Sequence, residues 1–308
     1  MNRAKAAAVA WLLALAAAGP APATERPPLL GGLLAQSRIL YPLRVDGWRA
    51  VSEQRYAQQA AGASVRYDNN QKQTWLDLYF YPWSGRGPDA LAAVARAERD
   101  SIAATARASG RAAELQALER FRLPTAGAQG TDAWRLALAY PEERRGSAMV
   151  VFQHGMYLVK LRASATGAEP AAVLEAATAF VAALAPRIRI ASTGGCWLPA
   201  RVELVDGPLP DPLAAHVLAS YREGQGPVAA VALADRVLAA RSEQARAATL
   251  AQALAAALYP GCVAPEAIEL DVPADLREIR IEYRAPDADP APGGSYQGLP
   301  LPPRSATG

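Results

Sequence analysis

Residues 74–83 read Thr-Trp-Leu-Asp-Leu-Tyr-Phe-Tyr-Pro-Trp, and they decide the fold class. Leu76, Leu78 and Phe80 fall on one side of an extended chain, and Trp75, Asp77, Tyr79, Tyr81 and Trp83 fall on the other. A period of two with β-branched and aromatic neighbours is a strand. Its Leu/Phe side belongs in a core. Pro82-Trp83-Ser84-Gly85 ends it, because proline removes a ladder donor and glycine frees the turn.

Working back from this strand, Asp68-Asn69-Asn70 is a turn cluster, and Ala63–Tyr67 and Val45–Gln54 read as two further strands. Working forward, Pro88 introduces an Ala-rich helix over 89–108, with Leu91, Val94 and Ile102 on one face and Glu98 beside them. Gly110 ends that pattern, and Ala112–Leu118 reads as a further short helix. Phe121–Leu123, Ala133–Tyr140, Ala148–Gln153 and Met156–Ala163 read as strands joined by short turns at Arg144-Arg145-Gly146 and His154-Gly155, which favours antiparallel pairing. Residues 170–185 form a second helix with Val173, Leu174, Phe180, Val181 and Leu184 on its apolar face, stopped by Pro186. Three strands, a helix, four strands and a helix make an α+β domain over 39–190, an antiparallel sheet packed with helices.

This order resembles the PsbP/Mog1-like α-β-α sandwich, which small bacterial envelope proteins also use. The resemblance is carried by Leu76-Asp77-Leu78-Tyr79-Phe80, the helix after Pro88, the strand Tyr157-Leu158-Val159-Lys160-Leu161 and the closing helix ending Phe180-Val181-Ala182-Ala183-Leu184. It implies a sandwich-like fold and a ligand-binding, assembly or adaptor role, among which fold alone does not choose.

Gly194-Gly195, Cys196 and Pro199 mark a boundary. Beyond it, 196–285 reads as a smaller α/β region. Its expected elements are a strand at Arg201–Val205, helices at Pro212–Arg222, Val228–Arg241 and Glu243–Leu258, and strands at Glu266–Val272 and Glu278–Arg284. Residues 286–308 are Pro- and Gly-rich and read as a disordered tail.

At the other end, Arg3 and Lys5 precede an apolar run over 6–18, then Gly19-Pro20 and Ala21-Pro22-Ala23. That is the layout of a cleavable signal peptide over 1–23. The run is shorter than the roughly 20 residues a spanning helix needs. Residues 24–38, with Pro27-Pro28 and Gly31-Gly32, read as a flexible arm. The expected localisation is periplasmic or secreted. Two cysteines, Cys196 and Cys262, then read as a disulfide. A loop of this length adds about 4 kcal/mol in the chain-entropy account.

The full chain carries 32 Lys+Arg against 29 Asp+Glu. Without Arg3 and Lys5 the balance is 30 against 29. That gives no field to attract nucleic acid or an anionic membrane. Arginine dominates, with Lys5, Lys72 and Lys160 the three lysines, in keeping with the coding bias of a GC-rich genome.

Catalytic motifs are wanting. There is no G-x-S-x-G elbow, no H-E-x-x-H and no phosphate-binding glycine loop; Gly85-Arg86-Gly87 is a strand-to-helix turn. No cofactor or metal site is expected, and acids near Asp206 and Asp211 sit in a proline-rich linker. His154 in a turn and His216 in a helix read as structural histidines. Glu98, Asp100, Asp77 and Asp132 are the acids available to a carboxylate-based hydrolase of envelope polymers, the alternative function.

The candidate binding set is therefore Trp75, Asp77, Tyr79, Tyr81 and Trp83. Covered by helices, these rings are core, which is the favoured reading. Left open, they form a platform for a glycan, an apolar ligand or another envelope protein, with Asp77 as the orienting polar group. If they are buried, the groove between the two regions becomes the next candidate. The expected function is an exported, non-catalytic binding or assembly module of the cell envelope.

Overall fold

A computed structural model describes residues 27–70, 74–124, 130–269 and 271–285; the expected signal peptide and tail lie outside them. Among these residues the chain first forms β1 (Gln36–Pro42), β2 (Arg44–Val45), β3 (Trp48–Arg55), β4 (Ala63–Asp68) and β5 (Thr74–Pro82), then helix α1 (Gly87–Ala108). Next come β6 (Glu114–Leu115), β7 (Glu119–Leu123), β8 (Thr131–Tyr140), β9 (Arg145–His154), β10 (Tyr157–Thr166) and helix α2 (Pro170–Leu184). The remainder holds β11 (Arg189–Thr193), β12 (Val202–Val205), β13 (Ala219–Arg222), β14 (Val228–Ala232), β15 (Val237–Ala240), helix α3 (Ala247–Leu258) and β16 (Leu276–Glu282).

The main sheet runs β2-β3-β4-β5-β10-β9-β8-β6, with β7 also paired to β8. Its pairs are antiparallel, and β5 lies against β10 in the register Leu78↔Leu161. The alternation in β5 sorts its side chains as expected. Leu76, Leu78 and Phe80 join the large core with Val173, Phe180 and Val181 of α2. Tyr79, Tyr81 and Trp83 join a second core with Leu91 and Ile102 of α1. The sheet is therefore covered on both faces, and the protein is α+β and sandwich-like. Both helices begin with proline in their first turn, where the missing N–H costs nothing. Gly155 (φ +60°) makes the tight β9–β10 turn.

A second sheet, β11-β1-β16, packs on the α2 side. It joins the two regions separated in the sequence, because β16 pairs with β1 from Gln36↔Glu282 to Pro42↔Leu276. A third sheet, β12-β15-β14-β13, carries α3. The disulfide Cys196–Cys262 ties the loop after β11 to the chain leaving α3, with Cα atoms 6.1 Å apart.

Several expectations are corrected. The arm assigned to 24–38 is folded where described: Leu33 and Leu34 are buried and β1 starts at Gln36. Leucines that close a core are not left in water. Residues 112–118 are not a helix, since Glu114 and Leu115 pair with Ala139 and Leu138 of β8. Pro212–Arg222 is a turn followed by β13, so His216 sits in a turn. Val228–Arg241 is not a helix but the hairpin β14–β15. Alanine permits either conformation, and sheet partners on both sides of β14 overrode its helix preference. Residues 265–267 form a single 3-10 turn where a strand was expected.

Candidate binding groove and the aromatic strand

The five candidate residues on β5 split into three environments. Trp75 is half-buried, with the Arg145 guanidinium 5.3 Å from its ring centroid. Asp77 accepts two hydrogen bonds from Arg66, at 2.7 and 2.9 Å. Tyr79 and Tyr81 are buried and stacked, with centroids 5.8 Å apart and planes 7° from parallel. Trp83 is buried at the far end. The rings form no open platform, because α1 lays Leu91, Ile102 and Ala106 over them. Burial is worth about 1.5–3 kcal/mol per large apolar side chain, so the helix closes over this face.

Beneath α1 lies a charged pair that sequence reasoning located only by half, at Glu98. Lys160 of β10 donates to Glu98 Oε2 at 2.9 Å, and both side chains are almost fully buried. The ammonium lies 5.3 Å from the Tyr79 centroid and 4.9 Å from that of Tyr81. Burial pulls the Lys160 pKa down, partly opposed by Glu98, and burial pushes the Tyr79 phenol up. Glu98 Oε1 has no protein partner among the described residues. Glu98 also lines a small cavity of about 30 Å³ together with Arg111, Tyr140 and Arg162.

The acids expected of a hydrolase do not converge. Glu98 is held by Lys160, Asp77 by Arg66, Asp100 by Arg99 at 2.8 Å, and Asp132 by Arg120 at 2.8 Å. Asp77 on β5 is three strand spacings from β8 and level with Leu136, four residues along from Asp132, which puts the two acids about 19 Å apart. The Arg120 hydrogen bond holds the Asp132 carboxyl below its ordinary pKa. Asp206 pairs with Arg241 rather than with Asp211. His154 ends β9, and burial lowers its pKa. Among the described residues, no three His, Cys, Asp or Glu side chains gather as a metal centre would require.

The larger concavity is a groove of about 410 Å³ where the main sheet meets the end of α3. That is the size of a small-molecule site (roughly 300–1,000 Å³). Three segments build its walls: Leu29 and Leu33 ahead of β1, Trp83 to Gly87 between β5 and α1, and Leu258 to Pro260 after α3. Met156 of the β9–β10 turn completes it. Two glycines hold the walls close. A Cβ on Gly85 would strike the Trp83 indole at 2.3 Å, and one on Gly155 would meet the Pro260 carbonyl at 3.0 Å. Arg86 stands exposed at the rim, its guanidinium 5.1 Å from the Tyr259 ring centroid. Of the sequence candidates only Trp83 lines this groove. Leu33, Met156, Leu258 and Tyr259 carry no local motif, and only Gly85-Arg86-Gly87 stood out in the sequence, as a turn.

Among the described residues no helix is long and apolar enough to cross a membrane. No family model matches the chain, and no curated protein does. Among solved structures it is similar to the solution structure of cyanobacterial PsbP (CyanoP) from Synechocystis sp. PCC 6803, at 13% identity and a TM-score of 0.34. The match covers 49% of this chain and 92% of that one. This is the resemblance expected from the element order of residues 39–190.

Proposed function

We propose that this protein is an exported, non-catalytic binding or assembly module of the bacterial cell envelope, and that its site is the groove between β5, α3 and the segment ahead of β1. One observation carries the reading: a ligand-sized concavity, lined by both apolar side chains and polar groups, is already formed by chain segments held together by core packing and by the Cys196–Cys262 bond. A disulfide suits an oxidising compartment, and the pattern of residues 1–23 suits export.

The test places a photo-crosslinking amino acid at Ser84, on the groove wall, in protein expressed in cells. A discrete adduct is expected from Ser84 and none from exposed Glu142, far from the groove. Ala257→Trp, which puts a ring into the groove from an exposed position, should abolish the adduct without changing the circular dichroism. An adduct that survives Ala257→Trp, or none at all, removes the groove as the site. N-terminal sequencing of the exported form should begin at Thr24; an intact residue 1 would show a retained anchor and remove the cleavage claim, and recovery of the protein solely in the cytoplasmic fraction would remove the export claim.

A further inference from the structure

Resting on the groove as the binding site, we infer that its ligand is a small amphipathic anion, with an apolar body on the groove floor and one anionic headgroup at Arg86. The floor is made by Leu29, Leu33, Trp83, Met156 and Leu258. These five side chains give an apolar body a surface to bury, beside a lining that also offers Ser84, Arg86 and Gln153. The Gln153 amide on the wall already donates to the Gly155 carbonyl at 3.0 Å. The volume holds a short chain or a small ring system, whereas a docked helix is about 10–12 Å across with its side chains.

Charge complementarity selects the headgroup. Among the described residues Arg86 is the cation on the groove lining, and no carboxylate there pairs with it. Among the described residues it meets the face of Tyr259, a contact that leaves its in-plane N–H donors for an oxyanion. Among the described residues no acidic side chain lines the groove to oppose that charge or to favour a cationic ligand.

The experiment titrates the whole mature chain, residues 24–308, with monomeric decanoate, decyl phosphate, decanol and decyltrimethylammonium by calorimetry. Decanoate and decyl phosphate should bind one to one and about fivefold more tightly than decanol, the effect of one partly exposed ion pair. The cationic amphiphile should bind most weakly. Arg86→Gln should erase the anion preference and leave decanol binding unchanged, and Arg86→Lys should keep most of it. Ala257→Trp should abolish all four isotherms.

Equal binding of decanol and decanoate, or an anion preference that survives Arg86→Gln, overturns the headgroup assignment while the groove reading stands. If no probe binds but the Ser84 adduct still forms and is lost in Ala257→Trp, the ligand class is wrong and the groove remains the site. If neither signal appears, both fail. Cosedimentation with anionic vesicles that ignores Arg86→Gln would also overturn the assignment, since the anion would then be a membrane surface.

Discussion

Two cations are buried among the described residues, one in the main sheet and one in the three-stranded sheet, and they are handled in opposite ways. Lys160 lies under α1 in the main sheet, with one carboxylate partner, Glu98, and two tyrosine faces. Arg38 lies in β1 of the three-stranded sheet, where it donates to both carboxylate oxygens of Glu278 and to the Ile268 carbonyl at 2.8 Å, with Glu269 at 3.4 Å. Burial dominates at Lys160 and pulls its pKa down, whereas the Glu278 hydrogen bonds dominate at Arg38 and push its pKa up. The two side chains are both hidden from solvent, at 6% and 3% exposure, but Lys160 lies deep beneath a helix and Arg38 in a thin layer of protein, so depth of burial acts together with partner number and partner exposure. Glu98 is 5% exposed, while Glu278 is 20% and Glu269 64% exposed. A planar guanidinium on a thin sheet can be satisfied several times over; a lysine under a helix depends on one bond.

The contrast is sharpest when one partner is removed. Lys160→Met should cost about 3–5 kcal/mol by urea denaturation, because Glu98 is left charged and unable to rehydrate. Lys160→Met/Glu98→Leu should return stability to the wild-type level or above, since the desolvation cost leaves with the pair. Arg38→Met should cost less, about 2 kcal/mol, because Glu278 and Glu269 reach water. Adding Glu278→Met should not restore it, because the Ile268 carbonyl still lacks its donor. Full recovery of the second double variant, or none in the first, would reverse the comparison.

Neither pair is legible in the sequence, and the reason is distance along the chain. Glu98 and Lys160 are 62 residues apart, and Arg38 and Glu278 are 240 apart. Local signals were present for one: Glu98 interrupts the apolar stripe of α1, and Lys160 interrupts the run Leu158-Val159-Lys160-Leu161. A charge in each of two facing apolar surfaces is a pairing signal once the helix is known to cover the sheet. What could be read directly was whatever repeats at short range. The alternation of β5 and the prolines opening α1 and α2 led to the correct elements. Residues 228–241 failed because Ala229, Ala230, Val231 and Ala232 are all buried, and a strand buried on both faces shows no alternation. The groove was beyond reach for the same reason as the ion pairs, since topology alone brings Leu29, Trp83, Met156 and Tyr259 to one place.

Titration separates the two cations more gently. The Arg38 hydrogen bonds hold the Glu278 pKa below its ordinary value. The folded state therefore releases that proton more readily, and the pair's contribution is complete above the unfolded value of about 4.3 and lost as pH falls through the folded one. The stability gap between wild type and Glu278→Gln should be constant above about pH 5 and narrow below 4, by about 1 kcal/mol. Lys160 runs the other way. Its folded pKa is lowered, so the unfolded chain binds the proton more strongly up to about 10.4, and this group's contribution rises with pH across that window. Wild type should gain on Lys160→Met/Glu98→Leu as the pH rises toward about 10. A gap that is flat at both ends would show that neither cation is coupled to folding.

The smallest effect belongs to Asp77, and it bears on the aromatic strand. Its carboxylate meets Arg66 in a two-point contact, yet the arginine is 51% exposed, so water screens the pair. Asp77→Asn should shift stability by less than about 1 kcal/mol, a fraction of the Lys160 effect one strand away. It should also leave amphiphile binding unchanged, because Asp77 does not line the groove. Were Asp77 the orienting group of an aromatic platform, the substitution would cost affinity at no cost in stability. The structure places it instead at the margin of a covered face, where Trp75 and Asp77 meet arginines and the rings beyond them meet a helix. A stability change well above 1 kcal/mol would mean that this margin is as dry as the site of Lys160, and the contrast between one-partner and many-partner charges would then extend to the edge of the sheet.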